Sequence, residues 1–241
     1  MAIKGIKYLP ASVTKDEALR LYKLLAKVNH KLGELNAEVS HAIVNESFTQ
    51  VFSLIESTQS TRIEGTQVTF TEVLGEKDKK RKSSDVIEVL NYQKALDEGF
   101  HLIKAGNPIS TRMIKQLHKT LMTDSRGTIS GAGDFRKIQN FIGPDKKIEN
   151  AIYLPVPANE IADYMANLEF YINKESHRTF ASKFNSDDEI IDENAPALLK
   201  TAIIHAQFES IHPFLDGNGR LGRILIVLYL LQEKTVQQRT C

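Results

Sequence analysis

Between His212 and Arg223 the chain reads HPFLDGNGRLGR, which places an imidazole, a carboxylate, a Gly-Asn-Gly and two guanidinium groups within one short segment. Each type suits one task in chemistry on a phosphate ester. Gly217, Asn218 and Gly219 lie where an apolar helix is expected to begin, and a helix start carries unpaired backbone N–H groups and partial positive charge. Flanking glycines let that backbone close around an anion. Arg220 and Arg223, three apart on one helix, add charge-assisted donors, and Gly222 between them is counted with the cradle. Asp216 would repel the anion unless a cation lay between them, which is how magnesium is held by one carboxylate, waters and the ligand's own phosphates. His212, with a pKa near neutrality, is suited to taking a proton from an attacking hydroxyl. Base, cation and cradle together point to phosphoryl or nucleotidyl transfer.

Taken singly, these residues have plainer readings. A histidine beside Pro213 and Phe214 is more often a helix-end residue, and Gly-Asn-Gly is more often a turn. Their coincidence with Asp216 and two arginines is what favours a site. GNGRLG also fits the dinucleotide-binding G-x-G-x-x-G pattern, but a helix, not a strand, is expected before it. A calcium loop fails because Val227 stands where the closing glutamate belongs.

Helical periodicity dominates the elements that must position this segment. Apolar residues predict helices over 15–32, ending at Gly33, over 39–56, with Gly65 as a stop further on, and over 85–98. A helix capped by Ser110 runs through Leu121, and others cover 159–172 and 196–210 before the apolar helix that starts near Gly219. Lys137 to Pro157 reads instead as two short arms around a Gly-Pro turn, a small hairpin. The fold class expected is all-α with a small β-hairpin flap. The basic run Glu76 to Asp85 is read as a solvated loop, because acids interrupt it and no aromatics are interleaved.

HPFLDGNGRLGR resembles the signature of the Fic family, His-Pro-Phe-x-Asp/Glu-Gly-Asn-Gly-Arg-x-x-Arg, at every defined position. HAQFESIHPF before it, and GDFRKIQNFIG with YLPVP further upstream, are similar to the family's entry helix and flap. The resemblance implies transfer of AMP from ATP, with magnesium, to a Ser, Thr or Tyr hydroxyl of a protein target. By that resemblance His212 is the general base, Asp216 the metal ligand, and Gly217, Asn218, Gly219, Arg220, Gly222 and Arg223 hold the phosphates. The flap, Gln139 to Pro157, would take the target segment as an added strand.

STRIEG, Ser60 to Gly65, is similar to the family's inhibitory motif Ser/Thr-x-x-x-Glu-Gly/Asn. It implies that Glu64, with Ser60 and Gly65, occupies Arg223 and holds the enzyme off, and in some relatives this glutamate also assists AMP removal. The division expected is 1–100, a helical region carrying the inhibitory helix, and 101–241, the catalytic core. Relatives continue past the motif helix, so part of the base pocket and any DNA contact are expected to lie outside this sequence. The alternative is a non-catalytic ATP-sensing module, and an intact His212 favours the enzyme. His205 is assigned to the core or a supporting role, and His30, His41, His101, His118 and His177 to no role.

The composition bounds the partners. A formal charge of +1 and 41% hydrophobic residues suit a globular protein and argue against a general nucleic-acid binder. The lone cysteine, Cys241, cannot form a disulfide within the chain, and the start lacks a signal-peptide core. The most apolar run, Ile224 to Leu231, is far below the ~20 residues that cross a bilayer. The expectation is a cytoplasmic protein with no membrane or nucleic-acid contact, acting on a protein substrate, with self-modification and a homo-oligomer also open.

Overall fold

The computed structural model describes residues 3–41, 46–77, 79–124, 131–145, 147–175, 180 and 184–234. Among these the architecture is mainly helical, as the periodicity predicts. In chain order the helices are α1 (Lys15–His41), α2 (Glu46–Ile63), α3 (Phe70–Glu76), α4 (Ser84–Lys104), α5 (Thr111–Leu121), α6 (Ile161–Ile172), α7 (Ala197–Ile211) and α8 (Asn218–Gln232). Four short strands accompany them: β1 (Ile3–Lys4), β2 (Ala11–Val13), β3 (Tyr153–Leu154) and β4 (Glu189–Ile191).

The core forms around α8. Leu221, Ile224, Leu225, Leu228 and Tyr229 are buried against residues of α4, α5, α6 and α7. A helix apolar nearly all round belongs at the centre of a bundle, where every face meets another helix. The close approach of α4 depends on Gly99, where a Cβ would collide with Leu228. Ser110 caps α5, its side chain accepting from the Met113 N–H, so that cap is where the sequence places it.

Several elements depart from the sequence reading. α1 runs through Gly33 to His41, since one helical glycine costs only about 1 kcal/mol. Its expected apolar face is largely uncovered: Ala18 is buried, but Leu19, Tyr22, Val28 and Leu35 are exposed. α2 continues past Glu56 to Ile63 and stops at Gly65, whose φ of 96° is left-handed. α3 went unpredicted, although Thr69 and Glu72 form a reciprocal capping box at its start. The pairing of β2 with β4, which sets Ala11 opposite Ile191, also went unpredicted.

The flap turns back on itself with a ladder of minimum length. Ile142 and Tyr153 make the one antiparallel bridge there among the described residues, and a 3-10 turn at Ile148–Asn150 lies between them. β3 pairs on as well, in parallel, with β1 from the chain's start. Pro155 and Pro157 cannot donate to a ladder, which explains why pairing goes no further.

Candidate active site

α7 ends at His212, which adopts the left-handed conformation with φ 49°, and α8 begins at Asn218 after Gly217, also left-handed at φ 77°. Two such residues reverse the chain within a few positions, which brings the imidazole near the start of α8, close enough to feel the charges of Glu64 and Asp216. Asn218 holds this loop in shape. Its Oδ1 accepts from the Phe214 N–H at 2.9 Å and its Nδ2 donates to the Phe214 carbonyl at 2.8 Å, all buried. The Asn218 side chain is therefore a loop clamp, not a phosphate contact.

Burial lowers the His212 pKa from its ordinary value, with the Glu209 carbonyl and the Glu64 and Asp216 charges partly offsetting it and Arg136 adding to it. Burial thus favours the neutral ring, the form able to accept a proton. Asp216 is half-exposed. Its Oδ1 accepts from the Gly217 N–H at 2.6 Å and lies 3.4 Å from Arg220 Nη2. Its other oxygen has no hydrogen bond among the described residues, which fits a cation needing one protein carboxylate and taking its remaining ligands from phosphates and water. Among the described residues no three acidic, histidine or cysteine side chains converge on a common point.

Two residues expected in the cradle face elsewhere. Arg220 is turned inward with its side chain 5% exposed, lying 3.6 Å from Glu88 of α4 and against Met122. Gly222 faces α7, where a Cβ would collide with Glu209 and meet His205 at 3.1 Å. Its task is close helix packing. Gly65 follows α2 and is exposed, Gly217 is buried against Met122 and His118, and Gly219 faces Glu64 and Arg223.

Glu64 lies against the start of α8. A Cβ on Gly219 would collide with Glu64 Oε1, so this carboxylate lies on the N-terminal turn of α8, where an anion is favoured. The same Oε1 accepts from Arg223 Nη2 at 2.7 Å. Arg223 is further held by Ser60, through Nε to Oγ at 2.7 Å and Nη2 to the carbonyl at 3.0 Å. The structure thus joins Ser60, Glu64 and Arg223 across more than 150 residues of sequence.

Two residues around the loop were missed in the sequence. Arg136 is 2% exposed, and its guanidinium donates to the carbonyls of Ile138, Val156, Ile211 and His212. It ties the flap to the C-terminal end of α7, where carbonyls and the helix dipole favour a cation. His118, also buried, bonds to the Asp216 carbonyl. Both act on backbone atoms from distant segments, and no side-chain pattern announces such partners. Tyr153 of the flap donates its hydroxyl to the Ser210 carbonyl at 2.8 Å and so pins the flap to α7.

Comparison with known proteins follows the same segments. Residues 108–230 match the Fic/DOC family, and residues 22–101 match the Fic/DOC family N-terminal region. A stretch of 33 residues is 58% identical to an Aquifex aeolicus protein named "Probable protein adenylyltransferase", covering 14% of this chain and 10% of that one. A Fic family protein from Desulfovibrio desulfuricans superposes with a TM-score of 0.66 at 23% identity, over 94% of this chain and 60% of that chain. A Fic domain containing signaling protein from Bacteroides thetaiotaomicron gives 0.64 at 19%, over 85% and 72%. At such identities the structural likeness carries the fold. This chain spans a tenth of the first relative and about three fifths of the second. None of the described helices is long and apolar enough to cross a membrane.

Proposed function

The chain belongs to the Fic/DOC family, and from that premise we propose that it is an autoinhibited protein adenylyltransferase, moving AMP from ATP to a Ser, Thr or Tyr hydroxyl of a protein. The observation that carries this reading is the position of Glu64, whose carboxylate takes Arg223 and lies on the first turn of α8, where a nucleotide's phosphates would be held. A carboxylate held on an anion cradle is the natural plug for it.

In the proposed reaction the target's hydroxyl oxygen attacks the α-phosphorus of ATP. The new P–O bond forms as the bond from the α-phosphorus to the bridging oxygen breaks, and pyrophosphate departs with that electron pair. The hydroxyl proton goes to His212. Its Nδ1 is buried, which leaves Nε2 to receive the proton. The N–H groups at the start of α8 and the Arg223 guanidinium stabilise charge as it moves onto the leaving group. Magnesium, held by Asp216 and the nucleotide, would neutralise the phosphates and orient them.

While Glu64 occupies Arg223, the γ-phosphate lacks its partner and ATP settles in a pose unsuited to in-line attack. Displacing Glu64 frees the arginine. The flap, fixed at its base by Arg136 and Tyr153, would receive the target as an added strand. Removal of AMP from the target, assisted by Glu64, is a secondary activity of the same site.

The test is incorporation of α-phosphate label from ATP with magnesium into the purified chain, comparing wild type, Glu64→Gly and Glu64→Gly/His212→Ala. Label is expected in Glu64→Gly alone. Absence of label in every form, with ATP binding retained, would make the protein a nucleotide-sensing module and not a transferase.

A further inference from the structure

His118 lies on α5, 4% exposed, and its contacts reach two segments remote in sequence. The Gly133 N–H donates to its Nδ1 at 2.9 Å, which makes Nδ1 the unprotonated nitrogen. Nε2 must then carry the hydrogen, and it donates to the Asp216 carbonyl at 3.0 Å. The ring stacks on Phe214 with centroids 3.8 Å apart and planes 9° from parallel. Gly217 closes over the ring's edge, where a Cβ would stand 3.5 Å from Nε2.

One imidazole therefore joins α5, the loop ahead of the flap and the motif loop. Asp216 is held from both sides: His118 takes its carbonyl, while the Gly217 N–H and Arg220 take one carboxylate oxygen. With backbone and one oxygen fixed, the direction of the second oxygen is set. No other side chain does the whole task, since phenylalanine would stack without bonding and glutamine would bond without stacking.

We infer that His118 is a positioning residue of the transfer site: accepting from Gly133 and donating to Asp216, it orients the one carboxylate offered to a nucleotide-borne divalent cation. The cation part rests on the transferase reading above, whereas the strap between the loops stands on the hydrogen bonds themselves. Partners of this kind, which orient a ligand without touching the metal, typically alter metal affinity 10–100-fold when lost.

Two measurements on the 241-residue chain decide it. The first is the 15N spectrum of the His118 ring in metal-free protein, where the neutral Nε2–H tautomer is expected. An Nδ1–H ring would overturn the strap. The second is Mn2+ binding, followed by electron paramagnetic resonance with a non-hydrolysable ATP analogue, in Glu64→Gly alone and combined with His118→Phe or His118→Gln. His118→Phe is expected to weaken Mn2+ about tenfold, and His118→Gln to stay within about threefold of its parent. Parent-like affinity in a folded His118→Phe, or a tenfold loss in a folded His118→Gln, would overturn the inference. Should His118→Phe not fold, His118→Leu, which likewise cannot bond to Gly133 or Asp216, takes its place with the same expected loss, and the ring spectrum still decides the strap. If the Glu64→Gly parent itself binds no Mn2+ with the nucleotide, the transferase reading falls, while the tautomer still decides the strap.

Discussion

Glu209 of α7 lies against Gly222 of α8, and its carboxyl is pushed up to about 7, chiefly by burial and also by the Glu64 charge, with Arg223 pulling the other way. An acid whose folded pKa exceeds its unfolded value binds its proton more tightly when folded, so its stabilising effect is present at low pH and lost as pH rises from about 4.5 to about 7. Melting temperatures of wild type and Glu209→Gln should therefore diverge across that window, with the wild type losing ground as pH rises. Parallel profiles would refute the assignment. Gly222 gives a second residue-scale test, because its Cα faces Glu209 and not the cradle. Gly222→Ala should lower stability by about 1–3 kcal/mol through overpacking. Glu209→Ala in the same chain should restore part of it, read from urea unfolding as a non-additive double-mutant cycle. Arg136→Ala strands several buried carbonyls together, and a loss of about 3 kcal/mol or more is expected in the same assay.

Among the elements, α2 and α8 form the latch. Arg223 meets this segment at two levels, the Ser60 hydroxyl and carbonyl on α2 and, just past the helix end, the Glu64 carboxylate. Ser60→Ala removes one charge-assisted bond and leaves the other two, so label incorporation should rise several-fold, yet stay well below that of Glu64→Gly. Equal rises would mean that Ser60, not Glu64, controls Arg223. The sequence makes one partner of this latch plain, because the motif packs base, acid and glycines into one segment. The other partner is visible only as STRIEG, a glutamate near a helix end with nothing local to distinguish it. The helices themselves were legible wherever an apolar face met the core, as in α5 and α8. α1 misled at Gly33 because a single glycine is a weak stop. α3 is short, and its Thr69 and Glu72 cap is a signal that apolar periodicity alone passes over. β1 and β2 pair with partners far along the chain, and strands this short carry no alternation to reveal them. His118 and Arg136 stayed hidden for a related reason, since backbone carbonyls and amides leave no mark in the sequence.

At the scale of the whole molecule, the latch is a bond between the region matching the family's N-terminal part and the region matching its core. Thr66, just past Gly65, adds a thread through Glu88 to Arg220. The N-terminal helices complete the fold around α4, and under the proposed function they would also compete with nucleotide for one arginine, two roles of opposite sign. Without nucleotide, Glu64→Gly should melt slightly lower than wild type, since a half-exposed charge pair contributes about 1 kcal/mol or less. With ATP and magnesium the order should change. Ligand stabilises by RT ln(1 + [L]/Kd), so freeing Arg223 for the γ-phosphate deepens binding and enlarges the shift, up to about 2.7 kcal/mol when ligand stands at 100 times Kd. Thermal melts of both proteins, with and without ATP and magnesium, measure the difference directly. A nucleotide-induced shift equal in the two proteins would mean that Glu64 does not compete with ATP for Arg223.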